Sequence, residues 1–343
     1  MERSLHLKVH GRGNAWPVLL GETHPYYDRN NSTELSNAAF SLLVKEGEEA
    51  LNHILIDAGH GTIQSLITGS NQIPEAVCLT HGHMDHTLSV DWIVKSFWRM
   101  NNKTRRYPIY ATKPVGHFFI QSYPHLEDQV EFRNLDYGVP VQLNHSIPVT
   151  LTAFPVFHGE GAVGASMLLF ESCGRRILFT GDLLTPLLRR EDFSKLHGID
   201  LLIVDANNRF PWPRTNHWSF AGDPGKPLTR TDILEHFCDD LTLDHLRHPH
   251  LKSLAIPANQ SYFKQVEKEW NIADQPMTIL EFLRIIEPRR VFPVHYSGAE
   301  DQKYHSQAIL SQDEMSDWII TETRKVGLNT AFVFPNVGQV LDI

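Results

Sequence analysis

AVCLTHGHMDH, residues 76–86, decides how this chain is read. An apolar run at 76–79 fits a buried strand. It ends in Thr80 and a cluster of three imidazoles and one carboxylate: His81, His83, Asp85 and His86. Neutral imidazole and carboxylate are favoured ligands for borderline divalent cations such as zinc, and a cluster this dense leaves like groups crowded unless a cation lies among them. Alternation along an extended loop sends His81 and His83 one way, and a following turn sends Asp85 and His86 another. One short segment thereby begins two adjacent sites. The competing reading is a polar loop without a cation.

The chain around it has 343 residues, 31 Lys+Arg against 40 Asp+Glu (net −9), 20 His and 3 Cys. That length holds one large or two ordinary domains with a full apolar core. Nothing in the composition points to a disordered, collagenous or disulfide-stapled chain. No apolar run reaches membrane-spanning length, and the start MERSLHLKVHGRG carries charges where a leader would be apolar, so a cytoplasmic protein without a membrane partner is expected. Cys78, Cys173 and Cys238 are too few and too irregular for a disulfide framework or a thiolate zinc site, and read as small buried hydrophobes. The acidic balance disfavours broad nucleic-acid binding, which relies on surplus Lys and Arg.

Strand texture recurs at 5–9, 40–44, 53–56, 76–80, 109–111, 149–156, 167–170, 177–180, 201–204 and 291–294, with closing strands at 331–334 and 339–341. Between 86 and 100, Leu88, Trp92, Ile93 and Phe97 are spaced like one helix face. From about 221 to 288 a Gly/Pro loop leads into helical stretches at 232–240, 260–270 and 278–286, read as an insertion or cap; a further helix covers 312–325. No linker splits the chain, so 1–343 is expected to be one domain whose two strand-rich halves pack as a sandwich.

HGHMDH resembles the HxHxDH signature of the metallo-β-lactamase superfamily, and four further motifs follow its order. Asp57 in ILIDAGHG matches the first motif, His158 in FPVFHGEG the third, Asp182 in LFTGDLL the fourth and His295 in VFPVHYSG the fifth. The resemblance implies an α/β fold, the αβ/βα four-layer sandwich of two mixed β-sheets flanked by helices. It also implies two divalent metal ions, zinc first, with manganese or iron as alternatives. His81, His83 and His158 would hold one, and Asp85, His86 and His295 the other, with Asp182 bridging. Zinc β-lactamases commonly carry Cys where Asp182 stands, so antibiotic hydrolysis is disfavoured. Asp57 would orient a ligand from behind. Flavodiiron relatives normally have Glu at the position of His83 and a flavin domain that this chain lacks. Two cations would lower the pKa of a bridging water from about 16 toward roughly 7 and neutralise charge that develops during attack, so the expected reaction is hydrolysis.

LLIVDANNRFPWPRTNHWSF, residues 201–220, is similar to the region after the fourth motif in ribonuclease Z and the phosphonate-pathway cyclic phosphodiesterase, where a downstream His stands beside the metals. His217 is its counterpart here, suited to protonate a departing alkoxide. GRGNAWPV, residues 11–18, resembles the early glycine loop of that branch. The catalytic set is then Asp85, Asp182 and His217. Trp218 is a substrate-wall candidate alongside Trp212 and Phe220, and Asp205 either orients His217 or lines the site. Two departures separate the chain from ribonuclease Z: it has no Gly/Pro-rich tRNA-clamping arm between His158 and Asp182, and it is acidic. A small anionic substrate, a small or cyclic phosphodiester, is favoured. A lactone, thioester or other carboxyl ester, a ribonuclease Z-like RNA, and a metal-dependent binding module are the alternatives. His245, His248 and His250 in HLRHPH read as a solvated or capping loop, and the apolar and aromatic content leaves room for a homodimer interface.

Overall fold

In a computed structural model of the chain the described residues are 3–15, 21, 36–143, 148–158, 162, 164–206, 257–269, 278–295 and 312–343. Two sheets face each other. The first contains β1 (Arg3–Gly11), β2 (Ala39–Glu46), β3 (Glu49–Ile56), β4 (Ala76–Cys78), β5 (Tyr107–Ala111), β6 (Val130–Asn134) and, at its edge beside β1, β15 (Val340–Asp342). The second contains β7 (Pro140–Gln142), β8 (Thr150–Phe157), β9 (Ser166–Ser172), β10 (Arg175–Phe179), β11 (Thr185–Pro186), β12 (Leu201–Asp205), β13 (Arg290–Val294) and β14 (Ala331–Phe332). Each sheet begins as an antiparallel meander, β1-β2-β3 or β8-β9-β10. Each then continues in parallel, as β3-β4-β5-β6 or β10-β12-β13-β14.

Parallel neighbours need crossovers, and these are the helices on the outer faces. α1 (Thr62–Thr68), α2 (Met84–Thr87), α3 (Val90–Met100) and α4 (Lys113–Ser122) serve the first sheet. α5 (Arg190–Leu196) and the helices Pro257–Glu269, Ile279–Ile286 and Gln312–Lys325 lie between strands of the second. Strand alternation divides the apolar residues among three buried layers. Ala76, Cys78, Phe179, Ile203 and Phe292 meet between the sheets. Val77 and Leu79 turn outward to Val90, Ile93 and Phe119. Leu178, Leu202 and Val291 pack on Phe282 and Leu283. Three core layers between four structural layers are the αβ/βα sandwich expected from the sequence.

Several local expectations are corrected. β4 stops at Cys78: Leu79 N still bonds the Tyr110 carbonyl at 2.9 Å, but Thr80 N–H turns to the Asp57 carboxylate instead of a neighbouring strand. The helix expected over 86–100 is two pieces, and its buried side is Val90, Ile93 and Val94. Leu88 and Trp92 are exposed, so only part of the expected apolar face points inward. Cys78 is buried as expected, whereas Cys173 is exposed in the β9–β10 turn at φ 51°. The two closing strands end different sheets, β14 the second and β15 the first. The sequence reading missed β6, β7 and β11, two of them only two or three residues long. Of the proposed insertion, 257–269 and 278–287 are described and helical apart from their ends; the stretch 232–240 and Cys238 lie outside the described residues. No helix among the described residues is long and apolar enough to cross a membrane.

Candidate metal centre

The candidate ligands come from strand ends on one rim of the sandwich. Asp57 follows β3, the 81–86 segment follows β4, His158 follows β8, Asp182 follows β10 and His295 follows β13. In open α/β sheets this carboxyl-end rim is where ligands gather. Two four-residue groups form there, each with one donor atom per residue within 4.8 Å of the others: His81, His83, His158 and Asp182, and Asp85, His86, Asp182 and His295. Asp182 belongs to both.

In the first group His83 Nδ1 lies 3.1 Å from His81 Nε2 and 3.2 Å from His158 Nε2. Asp182 Oδ2 is 3.2 Å from His158 Nε2 and 3.8 Å from His81 Nε2. In the second, Asp182 Oδ1 is 3.2 Å from His86 Nε2 and 3.4 Å from His295 Nε2. Asp85 Oδ2 is 3.3 Å and 3.4 Å from the same two nitrogens. The two oxygens of Asp182 therefore face opposite groups, the geometry a bridging carboxylate needs.

Hydrogen bonds behind the cluster set the tautomers. Thr80 donates its backbone N–H to Asp57 Oδ1 (2.9 Å) and its hydroxyl to Asp57 Oδ2 (2.7 Å). With that proton committed, Thr80 Oγ1 accepts from His81 Nδ1–H at 3.1 Å, which leaves His81 Nε2 with its lone pair toward the cluster. His86 Nδ1 donates to Asp57 Oδ2 at 2.8 Å, and its buried Nε2 makes no hydrogen bond although two carboxylates lie within 3.3 Å. A buried ring nitrogen with no hydrogen bond is costly, and His53 Nδ1 on the outer face shares that state; what sets His86 Nε2 apart is the pair of carboxylates beside it, with which it could share a cation. Asp57 thus fixes His86 directly and His81 through Thr80, one candidate ligand in each group. Thr80 was quoted in the sequence without a role.

The backbone is constrained in support. Asp57 (φ 53°) and His295 (φ 63°) occupy the left-handed region, uncommon for non-glycine residues though Asp and His tolerate it, and here it bends the chain sharply at the ends of β3 and β13. A Cβ on Gly59 would stand 1.7 Å from the carbonyl oxygen of Asp85, so only glycine lets the first motif lie against the second. The glycine loop at 11–13 also seats the site: His295 N donates to the Arg12 carbonyl at 2.7 Å. Sequence alone did not link that loop to His295.

The charge pattern divides the histidines. Burial, and then the positive charge of His86, hold His81 well below its usual pKa. Burial also opposes charge on His86 and His295, but Asp85, Asp182 and Asp57 outweigh it for His86, and Asp182, Asp205 and Asp85 lift His295 to about 10. Burial works against ionised Asp85 and Asp182 too, yet the surrounding imidazoles keep both carboxyls well below the ordinary range. The carboxylates thus draw positive charge into a buried space. Divalent cations satisfy that demand together with the unbonded imidazole nitrogen, so the donor set fits a dinuclear site.

Most of the cluster is buried, but Asp85 keeps 11% of its side chain exposed against 5% for Asp182, and neighbouring Met84 is 64% exposed. Among the described residues, the most exposed side of the cluster is therefore at 83–85. Asp205, at the end of β12, has Oδ1 3.5 Å from His295 Nδ1 and accepts from Leu183 N at 2.9 Å. His217, its expected partner, lies outside the described residues, as do Trp212, Trp218, Phe220, His245, His248 and His250.

The family model for the beta-lactamase superfamily domain matches residues 52–225, about half of the chain. Endoribonuclease YSH1 of Candida glabrata is 23% identical over 180 residues, which span 45% of this chain and 23% of that protein's length. The chain therefore matches less than a quarter of that relative. Among solved structures, a diphosphatase from the PhnP family aligns with TM-score 0.58 at 15% identity, covering 99% of this chain and 98% of that one. Zn2+-bound PqqB from Methylobacterium extorquens aligns with TM-score 0.52 at 14% identity, over 98% and 100%. At such identities the structural likeness establishes the fold.

Proposed function

The chain belongs to the beta-lactamase superfamily, most of whose members are metal-dependent hydrolases, and on that premise we propose that it is a two-metal hydrolase of small or cyclic phosphodiesters. The observation that carries this reading is the pair of four-donor groups sharing Asp182. His81, His83, His158 and Asp182 would hold one cation, and Asp85, His86, His295 and Asp182 the other. Cations there supply Lewis acidity and make water ionise near neutral pH, with zinc favoured by the imidazole-rich donors and manganese or iron also suited.

The chain's own residues perform the remaining tasks. Asp57 and Thr80 hold protons on the outer nitrogens of His86 and His81; His81 thereby presents an inner lone pair, and His86 would do so once a cation displaced its second proton. The exposed side at Asp85 admits a phosphoryl group. His217 donates a ring N–H proton to the departing alkoxide oxygen, and Trp218 offers an apolar face to the part of the substrate that does not react. A small anion suits a molecule whose positive charge is concentrated at one rim of an acidic surface. The match to an endoribonuclease makes an RNA phosphodiester the second reading.

A panel of bis(p-nitrophenyl) phosphate, cyclic nucleotides, short single-stranded RNA, phosphomonoesters, lactones and thioesters tests the bond that is cut. Turnover of the first two is expected, with His217→Ala slowing chiefly those substrates whose leaving groups are poor. Turnover of lactones or thioesters alone would reassign the bond, and loss of metal from His217→Ala would make His217 a ligand.

A further inference from the structure

β12 lies between β10 and β13, all three parallel, so their carboxyl ends stand side by side. β10 leads into the Gly181–Asp182 turn, β13 ends at His295, and Asp205 closes β12 between them. Its carboxylate is 3% exposed and faces both neighbours. Oδ2 accepts the N–H of Leu183, the residue after the shared ligand, at 2.9 Å, and Oδ1 lies 3.5 Å from Nδ1 of His295. Its own N–H is taken by Thr180 Oγ1 at 3.1 Å, which ties the strand end to the start of the same turn. The Asp205 carboxylate thus stands behind the ring of His295 at ion-pair distance, beyond a hydrogen bond, while the ring's inner nitrogen lies 3.4 Å from both Asp85 and Asp182.

We propose that Asp205 is the positioning residue of the second cation group: its carboxylate, buried behind the ring, aims the inner nitrogen of His295 into that group. In the first group the support described for His81 comes instead from Thr80 and Asp57. Asp57 therefore serves both groups and Asp205 mainly one. This rests on the two-metal reading, since a second group must exist to be positioned.

The test is a chelator-competition titration of the metal-free protein with Zn2+, which yields two stepwise affinities. Asp205→Asn keeps the size of the side chain and an acceptor for Leu183 N but lowers the basicity at His295. It should weaken one affinity by about 10- to 100-fold, the usual consequence of removing an orienting carboxylate, and leave the other unchanged. His295→Gln should strike the same affinity, and the double variant should lose less than the sum of the two, because the two residues act as one unit. Asp200→Asn, at the other end of β12 where Asp200 pairs with Arg175 and Arg289, tests for general loosening and should leave both affinities intact. Two unchanged affinities in Asp205→Asn, or equal weakening of both, would overturn the assignment while leaving the dinuclear reading standing. Fewer than two Zn2+ bound by the unsubstituted protein would overturn both.

Discussion

Two clusters of buried histidines in this molecule have opposite electrostatic character. On the carboxyl rim, imidazoles stand within about 3 Å of one another and of carboxylates, and His86 and His295 are drawn toward the charged form. On the outer face of the first sheet, His10 bonds Ser65 of α1 at 2.8 Å and Ser41 at 2.7 Å, and Ser41 bonds His53 at 2.6 Å. There burial, with Lys8 nearby, pushes His10 down to about 3 and His53 to about 4. Both clusters are buried and both bring imidazoles together. Acidic neighbours are what distinguish the candidate ligands from the outer pair: carboxylates on the rim call for a cation, whereas hydroxyls on the outer face meet both nitrogens of His10 and one of His53.

The sharpest break of that contrast is Asp182→Ala, which removes the one carboxylate both groups share. Hydrolysis should fall at least about 10³-fold, and elemental analysis should show loss of bound metal. Retention of two metals with near-normal turnover would place the centre elsewhere.

The outer cluster predicts acid sensitivity. His10 and His53 remain neutral in the folded chain down to about 3 and 4, whereas in the unfolded chain they take protons near 6.5. The unfolded state therefore binds more protons below about pH 6.5. The stability contribution is whole above that value and is lost as pH falls toward 4, by up to about 1.4 kcal/mol per pH unit for each histidine. Denaturant titrations of metal-free protein between pH 7 and 4 should show this slope, reduced in His53→Gln. An unaltered slope in that variant would remove His53 from the explanation.

Asp57→Asn sharpens the comparison from the rim side. It should weaken both metal affinities by about 10- to 100-fold, since Asp57 supports His86 directly and His81 through Thr80. An effect confined to one affinity would break the relay through Thr80. The smallest effect belongs to an exposed histidine: His125 pairs with Asp91 at 2.8 Å in solvent, so His125→Ala should change the unfolding free energy by no more than about 0.5 kcal/mol. A loss several times larger would mean that the pair is shielded from water.

Much of this was legible beforehand because residue type and position both carried information. Apolar runs of four to eight residues marked the long strands, and candidate ligands at the ends of four of them marked the rim, so His81, His83, Asp85, His86, His158, Asp182 and His295 could be singled out before their distances were known. What stayed hidden depends on partners distant in sequence. Thr80 looks like any strand-end threonine until Asp57 lies beneath it, and Asp205 until β12 is found between β10 and β13. Helical spacing alone could not tell that Trp92 faces solvent, because Val90, Ile93 and Val94 already fill the helix's contact with the sheet. His10 and His53 were unassigned because each alternates with core residues on strands whose outer face is covered only once α1 packs there.

The central claim is that the rim holds two cations through one shared aspartate. Elemental analysis of the purified, metal-reloaded chain measures it most directly. Two divalent ions per chain, falling on Asp182→Ala, is the expected result. Fewer than one per chain after careful reloading would contradict it.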